Sequence, residues 1–202
     1  MSPARQAVLN QPFLTQTTDH ERMSAVARGD LAVMSEIYQN RHRALFHFFY
    51  RLTGKQATSE DLVHEVFLRM IRYRHTYREE QADGGFESWM YRIARNALTD
   101  HARKRRHETE PVEDELEKID SGRPTPFETT AKRQDVARLR RALGALPEDK
   151  RELLVLARFH ELSYDQIGSI LGCGAGAIKG RVFRAMKQLG DIYSELCGEK
   201  AS

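Results

Sequence analysis

Apolar residues recur three and four positions apart along most of the chain, which predicts an all-α protein. The first helix is expected to start at Asp19 as N-cap, to turn Met23, Val26 and Ala27 inward and to stop at Gly29. Asp30 is placed to cap a second helix with a long stripe of Leu31, Met34, Ile37, Tyr38, Leu45, Phe48, Phe49 and Leu52, ending before Gly54. Its aromatic residues read as core. A capping-box-like pair, Thr58 and Asp61, is expected to open a third helix over 59–73, burying Leu62, Val66, Phe67, Met70 and Ile71. Asp61, Glu65, Arg69 and Arg72 fall on its other face, as a solvated charge ladder would. Residues 75–85 read as a loop.

The helix over 86–106, FESWMYRIARNALTDHARKRR, organises the chain. It carries the single tryptophan, Trp89, and Phe86, Trp89, Met90, Ile93, Ala97 and Leu98 share one side. Arg92, Asn96, Thr99 and Arg103 climb another side at offsets of four, three and four, and Arg103, Lys104, Arg105 and Arg106 close it with four cations. Such a front suits a sugar-phosphate backbone and offers amide and hydroxyl groups to bases.

Residues 107–130 contain Pro111, Pro124 and Pro126 with little apolar content, as an extended linker would. Periodicity then returns with Val136, Leu139, Leu143 and Leu146, and with Leu153, Leu154, Leu156 and Ala157 over 148–160. Ser163 and Gln166 form a capping box ahead of Ile167, Ile170 and Leu171. Gly172, Cys173 and Gly174 supply a tight turn, and a last helix over 175–193 buries Ile178, Val182, Ala185 and Leu189. A short helix, a glycine turn and a longer basic helix form the pattern of a helix-turn-helix, with Lys179, Arg181, Arg184 and Lys187 toward a major groove.

Charge sharpens this division. The net charge of +3 over 202 residues averages +5 for 1–106, −6 for 107–130, +6 for 131–190 and −2 for 191–202. Two basic modules flanking an acidic connector suit two separate contacts with a polyanion. The expected organisation is a mobile arm (1–18), a helical bundle (19–106), an acidic linker (107–130), a helix-turn-helix domain (131–193) and a tail (194–202). No apolar run approaches a membrane span, and no secretory signal opens the chain. Cys173 and Cys197 lie 24 positions apart without zinc-ligand spacing and are expected to be free thiols. The eight histidines are scattered, and no nucleophile elbow, phosphate loop or metalloprotease motif occurs, so neither enzymatic activity nor a cofactor is expected.

Three blocks carry a family resemblance: DLVHEVFLRM (61–70), FESWMYRIARNALTDHARKRR (86–106) and LPEDKRELLVLARFHELSYDQIGSILGCGAGAIKGRVFRAMKQL (146–189). In order and separation they resemble the extracytoplasmic-function (ECF) sigma factors of bacterial RNA polymerase, over about Asp19 to Leu189. The resemblance implies a sigma-2-like domain that docks on the clamp helices of the largest polymerase subunit through Asp61, Glu65, Phe67 and Arg69. It implies minus-10 recognition and melting by Trp89, Arg92, Asn96, Thr99, Arg103 and Lys104. It further implies a sigma-4-like domain reading the minus-35 element through Ser163, Tyr164, Ala177, Lys179, Arg181, Arg184 and Lys187. Core RNA polymerase (clamp helices and beta-subunit flap), promoter DNA and an anti-sigma factor are the implied partners, in the cytoplasm. Two departures stand out. The recognition helix opens Gly176-Ala-Ile-Lys-Gly-Arg181 where Gly-Thr-Val-Lys-Ser-Arg is usual, and His64 replaces a usual glutamine. The alternatives are a stand-alone helix-turn-helix regulator and a pure protein adaptor.

Overall fold

The computed structural model describes residues 18–78, 85–108, 130–160 and 162–198. Residues 1–17 of the expected arm (1–18), 79–84 in the loop before the central helix, 109–129 of the expected linker (107–130), residue 161 and the last residues, 199–202, lie outside the described residues. Everything regular among the described residues is helical: α1 (Asp19–Ala27), α2 (Met34–Thr53), α3 (Gln56–Arg72), α4 (Gly85–Glu108), α5 (Thr130–Ala145), α6 (Glu148–Phe159), α7 (Tyr164–Leu171) and α8 (Ala175–Cys197).

Helix starts differ from expectation in three places, each for a local reason. Thr18, not Asp19, caps α1: its Oγ1 accepts from the Glu21 amide at 3.2 Å, while the Glu21 carboxylate accepts from the Thr18 amide at 2.6 Å. Asp19 is instead buried and accepts from Arg22, Asn40 and Arg41, which ties α1 to α2. Asp30 makes no side-chain cap, because a 3-10 turn over Leu31–Val33 intervenes before α2. In α3, Thr58 and Asp61 lie inside the helix, which begins at Gln56. The buried Ser59 hydroxyl donates to the Lys55 carbonyl at 2.6 Å and so satisfies itself one turn back. At the other end of the chain Val136 is exposed, whereas Leu143 and Leu146 are buried.

Helices α1–α4 form one bundle. Met23, Ile37, Leu45, Phe49, Val66, Met70, Phe86 and Met90 fill it. Helices α5–α8 form the second unit, around Leu146, Leu153, Leu154, Leu156, Ile167, Ile178 and Ala185. The two units pack together: α6 lies against α2 and α7 against α4, so the buried side chains form one continuous core.

The turn between α7 and α8 rests on two glycines. Gly172 caps α7 in the left-handed region at φ 70°. Gly168 sits inside α7, where a Cβ would lie 2.5 Å from the Cys173 carbonyl oxygen, and its own carbonyl accepts from the Cys173 amide at 2.9 Å. The turn therefore folds back onto Gly168 more closely than any side chain permits. Gly168→Ala is expected to lower unfolding free energy by about 1–3 kcal/mol through steric displacement of this turn. Gly190→Ala, inside α8 where a Cβ meets nothing within 4 Å, is expected to raise it by up to about 1 kcal/mol. Denaturant midpoints measured at unchanged slope test both.

Candidate nucleic-acid and polymerase interfaces

The helical period of α4 gives each of its faces a separate task. Phe86, Trp89, Met90, Ile93 and Ala97 are buried. Trp89 is 6% exposed and sets its ring edge-on to Tyr77, centroids 5.1 Å apart. Trp89, expected near the minus-10 DNA, is thus buried in the bundle rather than exposed beside Arg92 and Asn96. Its large ring sits at an apolar position of the stripe, and burial outweighs any role at the surface. Arg92, Asn96, Thr99, Arg103 and Lys104 are all exposed, so the row expected on the front of the helix stands on its solvent face. The Thr99 hydroxyl donates to the Arg95 carbonyl at 3.0 Å and keeps its acceptor capacity outward. The side chain of Arg106 lies outside the described residues.

On α3, Asp61 is exposed and Glu65 and Arg69 are half-buried. Phe67 is 6% exposed and packs against Tyr38, centroids 4.8 Å apart, so it belongs to the bundle core rather than to a docking surface. The period again decides: Phe67 follows Val66 on the inward side. The exposed apolar residue of this helix is Leu68, at 59%. Sequence reasoning passed over it because a single outward leucine breaks no pattern.

The docking row and the DNA row meet. Arg69 lies 2.6 Å from Glu65 on its own helix and 2.8 Å from Asp100 on α4, and Asp100 lies 2.8 Å from Arg103. Glu65, Arg69, Asp100 and Arg103 thus form one chain of charges from α3 to the front of α4. Asp100 carries no sequence signal, since its role depends on which helix lies beside it.

In the second unit, Ser163 Oγ accepts from the Gln166 amide at 3.2 Å and Gln166 Oε1 from the Ser163 amide at 2.8 Å, the expected capping box. Tyr164 is 37% exposed beside it. Ala177, Lys179, Arg184 and Lys187 are exposed along α8. Arg181 differs: it is half-buried and its Nη1 lies 3.5 Å from Cys173 Sγ, so it braces the turn. Both cysteines are free thiols. Among the described residues no three His, Cys, Asp or Glu side chains cluster to hold a metal ion, and no helix is long and apolar enough to cross a membrane.

Between the units lies a polar seam. The Tyr91 hydroxyl is 2.7 Å from His160 Nδ1, Arg95 Nε is 3.1 Å from Glu152 Oε1, and Arg151 Nη1 donates to the Leu52 carbonyl at 3.0 Å. Arg51 stacks over the Phe159 ring at 4.3 Å. Burial raises the Tyr91 phenol and lowers the His160 imidazole to about 4, with Arg51 and His47 adding to the latter. A protonated phenol facing a neutral imidazole makes the tyrosine the donor. Burial also raises the Glu152 carboxyl, against the pull of Arg95.

Because folding holds His160 neutral while the unfolded chain titrates near 6.5, its contribution is complete above that pH. It is lost as pH falls toward 4. The stability of the wild type relative to His160→Gln is expected to drop by on the order of 2–3 kcal/mol from pH 7 to pH 4. Glu152 acts in the opposite sense but is common to both proteins and cancels in the difference. Urea unfolding of both proteins across that range measures it.

Known proteins match both helical units. Residues 37–108 match Sigma-70 region 2, and residues 137–189 match Sigma-70, region 4. The ECF RNA polymerase sigma factor SigE of Mycolicibacterium smegmatis is 32% identical over 179 residues, covering 87% of this chain and 68% of that protein. The ECF RNA polymerase sigma factor EcfG of Rhodopseudomonas palustris is 33% identical over 142 residues, covering 70% and 75%. Among solved structures, CnrH in complex with the cytosolic domain of CnrY superposes with a TM-score of 0.66 at 20% identity, covering 88% of this chain and 97% of that one. The sigma factor RpoE of Bartonella quintana, solved with the anti-sigma factor NepR, gives 0.62 at 24% identity, covering 83% and 98%. At these identities the structural matches establish the fold.

Proposed function

The chain belongs to the ECF family of RNA polymerase sigma factors, and on that premise we propose that it docks on core polymerase through α3 and reads promoters through α4 and α8. The supporting observation is that its two cation-bearing rows stand exposed on different units. Arg92, Asn96, Thr99, Arg103 and Lys104 face the minus-10 element. Lys179, Arg184 and Lys187 face the minus-35 element, with Ser163, Tyr164 and Ala177 at the near end of the helix-turn-helix. Arg181 supports that motif from within. Asp61, Glu65 and Leu68 meet the clamp helices of the largest subunit, with Arg69 behind them, and the second unit reaches the beta-subunit flap. The protein acts in the compartment of the polymerase and carries no chemistry of its own. An anti-sigma factor is a further partner of this reading; the Bartonella sigma factor is solved in complex with the anti-sigma factor NepR.

The reading requires movement. Helices α4 and α8 both touch α7, so their axes pass within roughly 20 Å of each other. Elements roughly 25 base pairs apart are separated by about 85 Å along straight B-DNA. The units therefore part on the promoter. Residues 109–129, 21 in number, allow a separation of at most about 75 Å between their ends, and the helices themselves supply the remainder.

A stand-alone helix-turn-helix regulator would need neither the exposed Leu68 beside Asp61 nor the charge chain through Arg69. Run-off transcription with core polymerase on a promoter selected by the holoenzyme tests the proposal, and absence of any transcript dependent on this chain overturns it. Lys187→Ala is expected to weaken promoter binding, to lower the salt slope by about one and to leave polymerase binding unchanged. Asp61→Ala is expected to weaken polymerase binding and spare duplex binding. Arg69→Ala is expected to disturb both, since it holds Glu65 and Asp100 together.

A further inference from the structure

Phe183 is 73% exposed, the most exposed large hydrophobic side chain among the described residues. It lies in the middle of α8, one position beyond the inward Val182. Met186 follows one turn later at 39% exposure, and Lys179, Arg184 and Lys187 surround the pair. Among the described residues the ring takes part in no aromatic pair, while Phe48, Phe49, Phe67 and Phe86 all do. A phenyl group held in water among three cations is a poor surface for an apolar protein partner but a good one for a polyanion with apolar points on it. Duplex DNA offers such points in its major groove, where the thymine 5-methyl group is the apolar feature.

We propose that Phe183 is a specificity-determining residue that contacts a thymine 5-methyl group in the major groove. This rests on the reading of α8 as the DNA-reading helix. The geometry of the helix supports it. With Ile178, Val182, Ala185 and Leu189 buried, Phe183 and Lys187 stand on the opposite side, one turn apart. The lysine fixes depth by holding phosphate, and the ring then meets the base edges. Phe183 was absent from the expected contacts because its exposure does not follow from the sequence pattern. Ala177 and Gly180 on the same helix carry no hydroxyl to compete with an apolar contact.

The test uses holoenzyme formed from the full chain and core polymerase, with a duplex selected from a randomised pool. Each thymine of the minus-35 element is replaced in turn by deoxyuridine, which removes only the methyl group. The wild type is expected to lose about fourfold in affinity at one position, the worth of one buried methyl. Phe183→Ala is expected to bind the thymine duplex more weakly by at least that factor and to show no loss on the same replacement. Phe183→Leu is expected to fall between them. The side chain is exposed, so neither substitution threatens the fold. The proposal is overturned if no position responds in the wild type, or if Phe183→Ala keeps the same response. It is likewise overturned if Phe183→Ala alters only polymerase binding, which would make the ring a protein contact. Lys187→Ala is the control for the underlying reading: if it leaves affinity and salt slope unchanged, α8 is not the DNA-reading helix at all.

Discussion

The packing of α4 constrains everything else. One helix supplies the central wall of the first bundle, the row of Arg92, Asn96, Thr99 and Arg103 and, through Tyr91 and Arg95, half of the seam with the second unit. Three surfaces on one helix are possible because a period of 3.6 spreads successive residues around the axis. They also restrict one another. A residue moved by one position leaves its own surface and enters a neighbouring one, so an insertion within α4 would damage core, DNA row and seam together.

The second consequence concerns how the first unit connects its partners. The docking row on α3 and the DNA row on α4 are chemically distinct, yet Arg69 and Asp100 join them. Ion pairs at partly exposed positions contribute little to stability. Their effect here is positional, since Asp100 holds one nitrogen of the Arg103 guanidinium and leaves its other donors open to a phosphate. A partner that draws Arg69 away also alters the company Arg103 keeps.

Most of the architecture was legible in the sequence. The stripes of α2, α4, α6 and α8 are long and regular, and the Ser163–Gln166 box and the turn at Gly172 follow from local chemistry. The helix starts were less legible, because neighbouring residues compete for each cap: the Thr18–Glu21 box takes the start of α1 while Asp19 turns to Asn40 and Arg41, and a 3-10 turn follows Asp30. The candidate surfaces divided the same way. Most of the expected cations stand exposed, while Trp89 and Phe67, expected at contact surfaces, are buried in the apolar stripes of their helices. Leu68, Asp100 and Phe183 were missed for the opposite reason: each is ordinary in sequence and becomes informative only through its exposure or its neighbour. The seam left no trace in periodicity at all, since Tyr91 and His160 lie 69 positions apart.

The makeup of that seam decides what an opened molecule would look like. An oily joint, once pulled apart, would present two sticky scars and invite clumping. Tyr91, His160, Arg95, Glu152 and Arg151 instead each carry a group that water accepts readily. The hydration they regain offsets part of what their contact provided. The apolar part of the joint, continuous with both cores, opposes that separation, so the polar seam lowers the cost of parting without removing it.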